Sequence, residues 1–241
     1  MTGSLRLGAV VKVIGTAYWG GPHKDLTLGM PIATCMHVGL GDYVVCIRGQ
    51  YLKGLLRRWS GRIESLLRTH GIIRSENLTI KLFGPSALEG RAKATALPSL
   101  VRVFDAYPVR DLPSAESLFR DGAFTYLSDS SGRVYRGVTD VFTRVRLCDV
   151  NGRASEGALF HEVRALHGTL MYFELAVAGL GPDELTDAAR LLITSLAQLK
   201  YSSPGRACSL GDVRVVGLEP NWLRTDKLVE KLLRFVGEGG G

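Results

Sequence analysis

Between Gln50 and Arg68 the sequence QYLKGLLRRWSGRIESLLR places Leu52, Leu55, Leu56, Trp59, Ile63, Leu66 and Leu67 mostly three and four residues apart. That is the helical period, so these side chains line one apolar stripe. Lys53, Arg57, Arg58 and Arg62 fall largely on the other side, and Gly71 follows closely enough to end the helix. An apolar stripe of this strength must be buried against a second layer of structure. No internal repeat of 20 to 50 residues supplies that layer, so nothing argues for a solenoid and the cover has to come from strands elsewhere.

Those strands are legible on both sides of the helix. "RLGAVVKVIGT" (6–16) is rich in β-branched residues and reads as a first strand. "AYWGGPHKDLTLGMP" is a long loop punctuated by Gly and Pro, and "DYVVCI" (42–47) is a short strand leading into a turn at Gly49. After the helix, "LTIKLFG" and "GRAKATALPSLVRVFDAYPV" contain strand-like runs separated by "PSALEG", and residues 107–133 are turn-rich, which predicts an irregular insertion. Val141, Thr143, Val145 and Leu147 then alternate with Phe142, Arg144 and Arg146; with the turn residues "NGRASEG" and the extended "ALFHEVRAL" they predict a long β-hairpin arm. "GTLMYFELAVAG" is a further strand. "GPDELTDAARLLITSLAQL" is a second helix, opening on Pro182, Asp183 and Glu184 and burying Leu185, Ala189, Leu192 and Leu196. "DVRVVGLEP" is the last strand, followed by a basic amphipathic stretch at 224–236 and a Gly-rich tail. The order is that of an α+β fold: a ferredoxin-like βαββαβ core with insertions, in one domain of 241 residues.

Composition narrows the partner. The formal net charge is +7, the isoelectric point about 9.4, and 22 of the 30 Lys and Arg residues are Arg. A planar guanidinium grips phosphate bidentately and stacks on bases, so this balance points to a nucleic acid. The 46% hydrophobic content suffices for a sizeable core. Cys35, Cys46, Cys148 and Cys208 are far apart without a CxxC pair, which predicts neither a zinc site nor a disulfide framework and suggests a reducing compartment. There is no signal-peptide pattern and no apolar run of membrane-spanning length, so a cytoplasmic location without membrane attachment is expected. Asn and Gln number only five, as in heat-adapted proteins.

The strongest candidate site is the basic helix with its entry: Arg48, Gln50, Tyr51, Lys53, Arg57, Arg58 and Arg62, with no acidic residue before Glu64. Cations on a rigid helix form a rail for phosphates; the alternative is a solvated outer face. On the arm, Arg144, Arg146 and Arg153 mix with Phe142, a pattern that can hold a backbone and stack or wedge bases; an edge hairpin charged against aggregation has the same composition. Tyr18, Trp19, His23 and Lys24 either meet RNA or contribute aromatics to the core. "SSPGRACSLGD", with Arg206, has phosphate-cradle composition but no P-loop pattern. The five histidines are scattered, and His161 and Glu162, being adjacent on a strand, point to opposite faces.

Several stretches together resemble the repeat-associated (RAMP) superfamily of CRISPR-associated proteins, and most nearly the backbone subunit that lines guide RNA in type III effector complexes. The family pattern I-P-G-S-S-L-K-G-x-x-R is matched by "IRGQYLKGLLR", its L-F-G and Gly/Arg stretch by "LFGPSALEGRAKA", and its arm by "LCDVNGRASEGALFHEVRALHGT". The Gly-rich C-terminal motif is met only loosely, by "CSLGDV". The resemblance spans about residues 8–216 and implies an RRM-like palm at about 6–105 and 166–220, an insertion at about 106–135 and a thumb-like hairpin at about 136–165. It further implies guide RNA and complementary target RNA as partners, copies of the chain stacked in a filament, and other type III subunits. Lys53, Arg57 and Arg58 would hold the guide backbone.

In that family the backbone subunit cuts target RNA with an Asp in a stretch like I-D-S-P-V. Aligned back from "LKG", this Asp falls on Ala33, and Asp25 matches only in a shifted register. The chain as written is therefore expected to bind without cutting and to hold no cofactor tightly; a divalent metal, Mg or Mn, is expected only with an aspartate in place of Ala33. A natural non-cleaving subunit and a deliberately replaced aspartate both account for Ala33. Three other readings remain: a capping subunit of the same complex, a stand-alone RAMP ribonuclease relying on His23 or His37, and a basic ferredoxin-like domain that binds only protein.

Overall fold

The computed structural model describes residues 3–15, 17, 19, 32–85, 98–137, 139–147, 154–201 and 213–219, with the backbone alone for most of 142–162. Its centre is an antiparallel sheet built from β1 (Gly3–Val13), β4 (Val101–Val103), β8 (Leu170–Leu180) and β9 (Val213–Glu219), in the order β4-β8-β1-β9. β5 (Tyr107–Val109) continues the β4 edge by pairing with the other end of β8. Helix α1 (Gly49–Thr69) connects β1 to β4 and α4 (Pro182–Ala197) connects β8 to β9. Each helix thus links two strands with a third lying between them in the sheet, the ferredoxin-like arrangement the order of elements predicted.

Strand alternation gives the sheet two differently used faces. Leu7, Ala9, Val11 and Val13 of β1 and Met171, Phe173, Leu175 and Val177 of β8 point toward α1 and α4 and form the main core. The helices meet closely there, with Ser60 and Ser195 hydroxyls 2.8 Å apart and fully buried. Val10, Tyr172 and Glu174 point the other way, under a second layer. That layer consists of α3 (Leu112–Asp121), a 3₁₀ turn (Thr125–Ser128) and the hairpin β2 (Thr34–His37)–β3 (Asp42–Val45).

The second layer departs from the sequence expectation. Residues 107–133, read as irregular, contain β5 and α3 and bury Tyr107, Val109, Ala115, Leu118 and Tyr126. Signals for α3 were present: Asp111 accepts the Ser114 N–H at 2.8 Å as an N-cap, and Pro113 lies in the first turn. "LTIKLF" also differs, forming the short helix α2 (Leu78–Phe83). Its β-branched Thr79 and Ile80 favour a strand, but the Glu64 carboxylate accepts the Leu78 and Thr79 amides at 2.7 and 2.9 Å. Tertiary hydrogen bonding thus overrides propensity.

The first helix keeps its expected stripe except at Leu66, which is 54% exposed because it lies outside the 3.6-residue arc closed by Ile63 and Leu67. Gly71, with φ +64, ends the helix, where Ile72 donates its N–H to Leu67 O at 2.8 Å. The arm is a hairpin of β6 (Thr139–Leu147) and β7 (Ala154–Ala165), pairing Thr139 with Ala165 and Arg144 with Phe160. The cysteine expectation is corrected: Cys35 and Cys46 form a disulfide with Cα atoms 5.7 Å apart. Their separation of eleven residues hides a hairpin that returns one to the other. Among the described residues no helix is long and apolar enough to cross a membrane.

Candidate nucleic-acid interface

The entry to α1 is built by close backbone approach. A Cβ on Gly49 would lie 2.8 Å from the Phe104 carbonyl carbon and closer still to Val103 O, so only glycine lets the helix start against the edge strand. The helix lacks a cap from its own segment; instead Asp105 accepts the Gly49 N–H at 2.7 Å. The positive end of the helix is thereby taken by a carboxylate of the chain itself. Arg48 and Gln50, on either side of Gly49, are exposed, and Tyr51 is half-buried.

Beyond the first turn the cations divide into two groups. Helical spacing puts Lys53 and Arg57 on one flank and Arg58 and Arg62 on the outer surface, where both are exposed. Burial, and then the nearby Arg57 charge, pulls the Lys53 ammonium below the usual lysine range. The Arg62 guanidinium lies 5.1 Å over the Trp59 ring, which holds it along the surface. Glu64, the first acid of the helix, spends both carboxylate oxygens on α2 amides, and Arg68 is paired with Glu76 at 2.5 Å. The outer surface from Arg48 to Arg62 is therefore cationic without an acid on α1 to neutralise it.

Other expected residues distribute differently. Ala33 is 3% exposed and belongs to the main core. Both its backbone groups are used: its N–H donates to Trp19 O and its carbonyl accepts from Cys46 N, each at 3.0 Å. Trp19 is likewise buried, so it takes the core alternative, and its indole N–H has no hydrogen-bond partner among the described residues. A divalent metal does not fit here, because position 33 offers a buried methyl group. Among the described residues no three His, Cys, Asp or Glu side chains gather into a metal-binding group.

His37 is fully buried, with Nε2 2.7 Å from Tyr126 O and Nδ1 accepting the Leu40 N–H at 3.2 Å. Those bonds occupy both ring nitrogens inside the fold. Arg144 and Arg146 lie on β6, the strand read as part of the arm, but their side chains are outside the described residues. His23, Lys24, Asp25, Arg153 and Arg206 also lie outside them.

Sequence reasoning missed three residues beside the α1 entry: Arg102, Phe104 and Phe124. The two phenylalanine rings stack with centroids 3.7 Å apart, and the Arg102 guanidinium lies 5.8 Å over the Phe104 ring. Phe124 was hidden inside the supposed irregular segment, and only the Arg-x-Phe spacing of 102–104 could have marked the pair.

No protein-family model matches the chain, and no curated protein matches it. Among solved structures it is similar to a chain from a cryo-EM structure of the type III-B Cmr-beta bound to cognate target RNA. The TM-score is 0.52 at 16% identity, with 90% of this chain and 60% of the other covered, so this chain spans less than two thirds of that one. The likeness supports the α+β, ferredoxin-like fold described above.

Proposed function

We propose that this protein is an RNA-binding subunit of a type III CRISPR ribonucleoprotein. The observation that carries the reading is the α1 surface, where Arg48 at the entry and Arg58 and Arg62 on the helix are exposed while the inner face, apolar apart from Ser60, is anchored in the core. Cations held on a rigid helix release counterions from a phosphate backbone without reading its sequence, as a subunit lining a guide of variable sequence must do. The shared fold with a chain from a Cmr-beta structure supports the same reading, as do the motif resemblances around "IRGQYLKGLLR" and the arm.

Within this proposal the backbone subunit, repeating along guide RNA and presenting its hairpin to complementary target RNA, is the preferred role, and a capping subunit is the second. Binding, rather than cleavage, is the function assigned to the chain as written, because Ala33 supplies no carboxylate. Burial of His37 disfavours a stand-alone ribonuclease that uses it.

The test is the salt dependence of single-stranded RNA affinity. The double variant R58E/R62E should bind at least tenfold more weakly at 100 mM salt. Its slope of log K against log salt should fall by about 1.4 for two lost contacts on a single strand. RNA affinity and slope that match those of the unaltered protein would overturn the assignment of the α1 surface. A protein that binds no RNA at 50 mM salt would overturn the whole reading.

A further inference from the structure

The face of the sheet opposite α1 and α4 is covered unevenly. α3 and the 3₁₀ turn lie over the end carrying Val10, Tyr172 and Glu174. Toward the other end Ser4 and Ala178 are exposed and Ala176 is half-buried. Strand register aligns Arg102 of β4 with Ala176 of β8, and Ala176 with Arg6 of β1. This row of two arginines around a small residue runs from Arg6, at the margin of the layer, to the exposed Arg102 on the edge strand.

The two arginines are used differently. Arg6 is committed to Glu174, donating from Nε to Oε2 at 2.6 Å and from Nη2 to Oε1 at 2.8 Å, and its guanidinium also lies 4.1 Å over the Phe119 ring. Arg102 is exposed and, among the described residues, has no acidic partner; its one neighbour of note is the Phe104 ring. Phe104 is stacked on Phe124, and Phe124 holds φ +66, a backbone region that bulky residues rarely occupy. Glu174 holds both: its carbonyl accepts the Phe104 N–H at 3.0 Å and its Oε2 the Phe124 N–H at 3.4 Å. A strained aromatic is thus kept stacked and half-buried beside a guanidinium that has no acidic partner among the described residues.

We infer that this patch is a second RNA seat on the protein: an unpaired nucleobase stacks against the Phe104–Phe124 pair, and Arg102 takes the adjoining phosphate. The inference rests on the RNA-binding reading above. Charge complementarity selects the occupant, since an unneutralised guanidinium beside an aromatic stack matches a nucleotide, which carries a π-face and an anion together. Single-stranded RNA fits better than duplex, because only a splayed base presents its face to a side-chain ring. The patch is also continuous with the α1 entry: Gly49 packs on the backbone of Val103 and Phe104, so Arg48, Gln50 and Arg102 border the same edge strand. A strand held along α1 can therefore pass over that edge and deliver a base to the opposite face.

The experiment combines affinity with cross-linking on the full chain. Labelled single-stranded RNA containing 5-iodouridine is titrated against the unaltered protein, R102E and F124A, with thermal melting of each variant measured alongside. R102E, a surface change, should keep its melting temperature and lose about tenfold in affinity, with the salt slope reduced by about 0.7. Irradiation should cross-link the RNA to Phe104 or Phe124, and the yield should drop in R102E. If F124A melts much earlier, R102E and the cross-link map decide the matter without it. If the protein binds RNA but R102E binds as tightly, or cross-links map only to α1, the second seat is wrong and the α1 reading stands. If the unaltered protein binds no RNA, both fall together. Equal loss of an acidic peptide and no loss of RNA in R102E would also overturn it, assigning the patch to a protein.

Discussion

Replacing Glu174 by Ala tests how the second layer is fastened to the sheet. Glu174 is fully buried and receives two charged hydrogen bonds from Arg6, at 2.6 and 2.8 Å, and one from the Tyr172 hydroxyl at 2.8 Å. Arg6 also donates to Gly122 O, so the ion pair ties β1 and β8 to the residues that follow α3. Removing one partner of a buried pair costs about 3–5 kcal/mol, because the other charge stays desolvated. The Arg6 side chain, however, is 25% exposed and keeps Gly122 O and the Phe119 ring, which relieves part of that cost. The Tyr172 hydroxyl relieves nothing: left buried without its acceptor it adds about 1–3 kcal/mol. These terms overlap, and the net expectation for Glu174→Ala is about 3–4 kcal/mol, or about 6–16 °C in Tm for a chain of this size.

The assay is guanidinium unfolding followed by tryptophan fluorescence, with Arg6→Ala and the double variant completing a cycle. The coupling between Arg6 and Glu174 should exceed about 1 kcal/mol. Glu174→Gln, which keeps the volume and one acceptor, should cost roughly half as much as Ala. A Glu174→Ala protein within about 1 kcal/mol of the unaltered one, at unchanged denaturant slope, would refute this account of the second layer.

Two further outcomes follow from single sites. Ala33→Asp should destabilise the fold by at least about 3 kcal/mol, since a carboxylate replaces a core methyl whose backbone is already hydrogen-bonded; a variant that melts with the unaltered chain would show that this segment opens to solvent. Acidification should weaken the fold through Asp129, whose burial alone would raise its pKa but whose bonds from Arg133, Ser131 and the Val134 N–H hold it below the usual value. Because the folded-state pKa is the lower one, the stabilisation is full above the unfolded carboxylate value of about 4 and is lost below it, as pH falls through the folded-state pKa. Asp129→Asn should flatten the acid limb of a stability-against-pH curve, and an unchanged limb would refute the assignment.

The elements with a clean period were legible. α1, α4, the strands β1, β8 and β9, and the β6–β7 hairpin could be located because their side chains repeat at 3.6 or 2.0 residues, and their order already implied the ferredoxin-like core. α2 was not legible, because its helix is secured by a carboxylate fourteen residues away on another element. Nor was the disulfide, since a strand pairing and not the spacing brings Cys35 to Cys46.

The same division holds at the candidate site. The basic character of α1 is local: it follows from where Arg58 and Arg62 fall on a helix whose opposite side is apolar, and the sequence alone determined it. What tertiary structure alone decided is which neighbours each group meets. It buried Ala33 and His37, spent Glu64 and Asp105 on distant backbone amides, and set Phe124 against Phe104. Periodicity reports which way a side chain faces along its own element; burial and partnership depend on chain segments far away in sequence, which packing alone brings together.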